Sequence, residues 1–107
     1  DRNRAIINIF TRMRYLKPSG DLDFSVKDGP TSQNSHLIPW FNFKGALKRK
    51  ERILFGHWSS LGLVIRKEFV SLDTGCGRGE LLTAIRLGDN RVFSTQVIDD
   101  MLPTSYV

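Results

Sequence analysis

The sequence predicts an α/β chain of locally α+β character: one N-terminal helix followed by a mostly antiparallel meander of short strands. Three observations carry that expectation. Apolar residues recur at helical spacing only near the N-terminus, at Ile6, Phe10 and Met13. Beyond Gly20 they fall in short runs, some alternating, between turn-forming residues. The 107 residues suit one domain, and a domain of this size buries only about 65% of its unfolded surface, enough for one modest core.

The helix is expected over residues 3 to 15, with Asp1 or Asn3 as its cap and Arg2, Arg4, Arg12 and Arg14 studding it. Pro18 and Gly20 break the pattern. The alternation of Leu22, Phe24 and Val26 predicts a half-buried strand. Residues 27–35, polar throughout with a Gly-Pro breaker, are expected to form a mobile loop. The aromatic run from Leu37 to Phe43 reads as an extended segment laid on a core. Between Lys44 and Arg52 stand five basic residues in nine, expected to make a helical turn or two. The run "ILFGHW" reads as a buried strand ending at Gly56-His57. Two further hairpins are expected, one turning at Arg66-Lys67-Glu68 and one at Gly88-Asp89-Asn90. The tail, residues 98–107, is expected to fray.

Sixteen basic and eleven acidic residues give a net charge of +5, which favours polyanionic partners by long-range attraction. No apolar run approaches the roughly 20 residues that span a bilayer, and no signal-peptide pattern opens the chain. The chain starts at Asp1 rather than Met, which leaves room for residues upstream. The single cysteine, Cys76, excludes an internal disulfide and a thiolate zinc cage, and a free thiol fits a cytoplasmic location.

The segment "LDTGCGRGELLTAIRL" admits two chemistries. Gly75, Gly77 and Gly79 after an apolar run, with Asp99 or Asp100 about twenty residues later, fit the adenosyl-binding loop of an S-adenosylmethionine methyltransferase. That reading uses Asp73 to Gly79 as the loop and requires a helix from Glu80 to Leu87. The same letters fit two strands joined by a turn. A third possibility, from the charge alone, is a non-catalytic basic module for RNA or another polyanion, with salt-sensitive, metal-independent binding.

Four segments in this order bear on the choice: "TRMRY" (Thr11 to Tyr15), "PWF" (Pro39 to Phe41), "FGHWSSLGL" (Phe55 to Leu63) and "SLDTGCGRGELLTAIRL" (Ser71 to Leu87). Together they resemble the C-terminal part of the symmetrical bis(5′-nucleosyl)-tetraphosphatases, bacterial diadenosine tetraphosphate hydrolases of the metallophosphoesterase group related to the Ser/Thr protein phosphatases. The resemblance runs from about Arg4 to Gln96. Arg78 and Glu80 depart from it, standing where the family usually has an aromatic residue and a second glycine.

The resemblance implies part of a calcineurin-like α/β sandwich. It implies hydrolysis of diadenosine tetraphosphate to two ADP by water activated at two divalent metals, manganese or cobalt. Capped RNA is the one nucleic-acid substrate it leaves open. His57 matches the family's last metal-binding histidine. The family's other ligand motifs are absent, since the chain holds no Asp-x-His and no Asn-His. The expectation is therefore a C-terminal part, inactive alone, whose uncovered sheet self-associates.

Plainer readings stand beside the functional ones. His57 could be a core histidine bonded to backbone. Arg12 and Arg14, with guanidinium forks suited to phosphate oxygens, could reach the substrate's polyphosphate or form a solvated basic face. Lys48 to Arg52 reads as solvated surface before it reads as an electrostatic funnel for an anionic substrate. Trp40, Phe41, Phe43 and Trp58 read as core before they read as adenine stackers, and Cys76 as a small buried hydrophobe.

Overall fold

The computed structural model describes residues 1–45 and 48–97. Helix α1 spans Arg2–Arg12, shorter than the periodicity predicts. The Asp1 side chain accepts from the Asn3 amide at 2.9 Å and caps the first turn. The helix ends because Met13 turns to extended backbone and Tyr15 is claimed by a sheet. Arg14 is therefore not helical. No residue of α1 is fully buried.

Strand β1 (Tyr15–Leu16) pairs antiparallel with both β2 (Leu22–Asp23) and β3 (Ile38–Pro39), placing Tyr15 opposite Asp23 on one side and Pro39 on the other. Gly20, at φ 94°, closes the turn between β1 and β2. Strand β2 stops two residues in. The Asp23 carboxylate accepts from the Ser25 amide at 2.8 Å, and this local Asx turn overrides the alternation expected through Val26. Phe24 is consequently exposed rather than core.

Residues 27–35, expected as a mobile loop, carry a short 3-10 turn (Ser32–Asn34) and several ties to the core. The Asp28 carbonyl accepts from Tyr15 Oη at 2.8 Å and from Trp58 Nε1 at 3.3 Å. Asn34 is buried and donates to the Gly29 carbonyl at 3.1 Å. Ser60 donates to the Lys27 carbonyl at 2.7 Å.

The second sheet has the order β4-β6-β5, with β4 Ile53–Phe55, β5 Val64–Ile65 and β6 Phe69–Ser71. The hairpin across Arg66-Lys67-Glu68 forms as expected. Strand β4 runs parallel to β6, so the meander is antiparallel except here. It is also half-buried rather than buried. Only central β6 is enclosed along its whole length. Between the sheets lies an aromatic core of Tyr15, Trp40, Phe41, Trp58 and Phe69, joined by Leu37. Phe41 stacks on Phe69 at 4.2 Å, and Tyr15 meets Trp58 edge-on at 5.0 Å.

After β6, Cys76–Arg78 make a 3-10 turn flanked by Gly75 and Gly79, both in left-handed backbone. Strands β7 (Leu81–Arg86) and β8 (Arg91–Gln96) then form a six-pair antiparallel hairpin whose residues are mostly exposed. The tail at 98–107, with Asp99 and Asp100, lies outside the described residues, as do positions 46 and 47 of the basic stretch. The fold class is α+β, as predicted.

Candidate polyphosphate site at the end of strand β4

Strand β4 leads into Gly56 and His57, which share a cleft with the C-terminal end of α1. That cleft, about 300 Å³, is lined mostly by apolar side chains, Ile9, Phe10, Met13, Ile53 and Phe55 among them, with Arg12, Arg14, Arg49 and His57 as its charged or titratable members. His57 takes left-handed backbone at φ 66°, a conformation that costs a non-glycine residue free energy. Its imidazole stands at the protein surface rather than among core side chains. Gly56 sits beside Asp73, a Cβ built there falling 3.9 Å from the Asp73 Cβ, and the Asp73 carboxylate accepts from the Gly75 amide at 3.0 Å.

Three residues named from the sequence thus converge. Because α1 ends at Arg12, Arg14 leaves the helix and reaches across, its Nη2 donating to the His57 carbonyl at 2.9 Å. That bond holds both the strained residue and the guanidinium. Partial desolvation, then the charges of Arg14 and Arg12, push the His57 pKa below its ordinary 6.5, against a smaller opposite pull from Asp73. The ring is therefore neutral at pH 7, the form that donates a nitrogen lone pair to a metal.

Arg49 was expected on a solvated surface with Lys48, Lys50 and Arg52, but it lies over the Trp40 ring at 5.3 Å and faces the cleft. Nothing local distinguishes it from its neighbours; only the tertiary position of Trp40 does. Trp40, Phe41 and Trp58 are core, and Phe43 is half-buried, which leaves these rings little free face for an adenine. Cys76 is half-buried in its turn. His36 lies exposed in a separate turn.

The donor set around His57 accommodates a metal only as one contribution among several. Its ring is neutral, exposed and rigidly held, but among the described residues no three His, Cys, Asp or Glu side chains gather to hold an ion. The glycine segment after β6 leads into strand β7 where a methyltransferase loop requires a helix. The adenosyl-binding alternative is not favoured.

Over 100 residues, 90% of its length, the chain is 46% identical to the symmetrical bis(5′-nucleosyl)-tetraphosphatase of Nitrosospira multiformis. The protein of that name from Bordetella pertussis is 43% identical over 85% of the chain, and that from Burkholderia mallei 40% over 84%. Over this segment the chain is a homologue of proteins named symmetrical bis(5′-nucleosyl)-tetraphosphatase. It spans about a third of the length of these curated relatives, 32 to 35%. No protein-family model matches it. The likeness bears directly on the cleft, because "FGHW" and "TRMRY" supply His57 and the two arginines. Among the described residues no helix is long and apolar enough to cross a membrane.

Proposed function

We propose that the protein containing this chain hydrolyses dinucleoside polyphosphates, diadenosine tetraphosphate foremost, to two nucleoside diphosphates. In this reading His57 is one metal donor and Arg12 and Arg14 grip the polyphosphate. The observation that supports it is the meeting of these three side chains at one cleft in a chain 40 to 46% identical to proteins of that name.

When bound, a pair of divalent cations, manganese or cobalt, supplies Lewis-acid activation of water and of the phosphoryl oxygens. The chain's own residues position and neutralise. His57, fixed by the Arg14 bond to its carbonyl, presents a neutral ring nitrogen. Arg14, anchored through one nitrogen, keeps its remaining donors for a phosphate oxygen. Arg12 ends α1 exposed beside it. Together they hold the anionic chain and offset charge that grows on its bridging oxygen as the bond breaks. The other metal donors come from outside these 107 residues, so the segment alone is inactive. A cytoplasmic location suits such a substrate, and capped RNA is a second substrate of the same chemistry.

The test is turnover. The full-length protein with manganese and diadenosine tetraphosphate should yield ADP as sole product, and the 107-residue segment none. Full-length protein without metal-dependent turnover would overturn the reading, as would robust hydrolysis by the segment. Metal-independent, salt-sensitive binding of RNA would instead favour the basic module.

A further inference from the structure

We infer that Arg49 is a third polyphosphate-binding residue, held against the face of Trp40 so that the cleft takes anions of three or more linked phosphates in preference to shorter ones. The inference rests on the hydrolase reading for its substrate, but the observations behind it are independent of any metal.

The first observation is charge. The charged or titratable side chains in the otherwise largely apolar lining are three arginines and a histidine, with Asp73 as the acidic group near the histidine. Among the described residues the two ion pairs, Arg78 with Glu80 and Arg86 with Asp89, lie elsewhere, and none of the three arginines joins them. Three like charges around one small cleft repel, and in a partly desolvated site water offsets that repulsion only in part. A multivalent anion offsets it directly.

The second observation is preparation. Arg14 is braced by the His57 carbonyl and Arg49 by the Trp40 ring, each in a way that leaves most of its donors unused. In both residues Nε is buried without a partner, so the terminal Nη groups are the donors left for an anion. A planar fork fits phosphate in two-point fashion, which an ammonium does not.

The third observation is placement. Arg12 and Arg14 come from the end of α1 and the strand entry after it, Arg49 from the approach to β4. The three cations enter the cleft from two separate chain segments. In this proposal an anion long enough to meet both segments gains contacts that a single phosphate does not.

Calorimetric titration with orthophosphate, pyrophosphate and tripolyphosphate in metal-free buffer tests this. It uses the full-length protein with the wild-type segment, with Arg49→Gln, with Arg49→Lys and with Lys50→Gln. Lys50 is the exposed neighbour whose loss changes net charge equally. Arg49→Gln should weaken tripolyphosphate binding by about tenfold, the size of one charge-assisted contact. Its effect on orthophosphate should be small, and Arg49→Lys should fall between. Lys50→Gln should change binding by no more than about twofold. Equal binding by Arg49→Gln overturns the inference, as do equal losses in Lys50→Gln, equal losses across the three anions, or a wild type that binds no tripolyphosphate. Should Arg49→Gln lose its fold by circular dichroism, Arg49→Lys decides. The two readings fail separately: Arg49-dependent binding without manganese-dependent turnover sinks the hydrolase alone, and turnover with Arg49-independent binding sinks Arg49 alone.

Discussion

At the scale of single residues, His57 carries the most consequence, because backbone strain and a lowered pKa meet in it. Left-handed backbone suits Gly and Asn better than other residues. His57→Asn should therefore fold at least as stably as wild type, while His57→Val loses about 1–2 kcal/mol in chemical denaturation. Full-length protein carrying either change should lose turnover. Activity retained by His57→Asn would overturn the proposed role of His57 as a metal donor. The protonation argument has a definite sign. Burial against the cleft wall and the charges of Arg14, Arg12 and Lys27 disfavour the imidazolium, and Asp73 opposes them. A folded pKa below the unfolded 6.5 means this contribution to stability is complete above pH 6.5 and is lost as pH falls through the folded value. Imidazole resonances followed by NMR should give a His57 midpoint below 6.5, and Arg14→Gln should move it upward. A wild-type midpoint at or above 6.5 would contradict the cleft's electrostatics.

At the scale of elements, short apolar runs were read correctly where a turn fixed them and wrongly where a side chain intervened. Gly88-Asp89-Asn90 placed the β7–β8 hairpin, and the charged triplet at 66–68 placed β5 and β6. The Asx turn at Asp23 and the early end of α1 were not legible, because local hydrogen bonding and the claim of the sheet on Tyr15 compete with periodicity. The parallel pairing of β4 with β6 is a long-range choice on which spacing is silent. The cleft was legible only in part: Arg12, Arg14 and His57 come from quoted motifs, whereas the place of Arg49 in its lining follows from the position of Trp40. Two predictions concern elements directly. Gly75, at φ 89°, lies against Glu80 so closely that an added Cβ would overlap its side chain. Gly75→Ala should cost about 1–3 kcal/mol in thermal unfolding, and removing the Glu80 side chain as well should restore only the steric part. Strands β7 and β8 pair mainly with each other, Leu81 adding one isolated bridge to Gly75, and a two-stranded hairpin is marginal in water. In the isolated segment their amides should exchange hydrogen far faster than those of Val70 and Ser71, which are fully buried. Equal protection would show a hairpin stabilised by packing beyond its own pairing.

At the scale of the whole molecule, the apolar residues outnumber the places to bury them. A compact aromatic core forms between the sheets, yet Phe10 remains 84% exposed and Phe93 46%, with Ile7, Leu82 and Leu87 similarly open. These side chains form two faces, one along α1 and one on the β7–β8 hairpin, and exposed apolar surface on this scale marks contact with another protein surface. In relatives three times as long, the rest of the protein is the natural cover. In the isolated 107-residue segment the available cover is a second copy. Light scattering should therefore find the segment as a dimer or larger at tens of micromolar. Phe10→Lys and Phe93→Lys together should shift it toward monomer, since a charge at the centre of an apolar contact is desolvated without a partner. The full-length protein should respond oppositely: there the same substitutions should lower thermal stability by disturbing an intramolecular contact. A wild-type segment that stays monomeric would show that these faces are tolerated in water. A full-length protein indifferent to the substitutions would show that these faces are not covered within it.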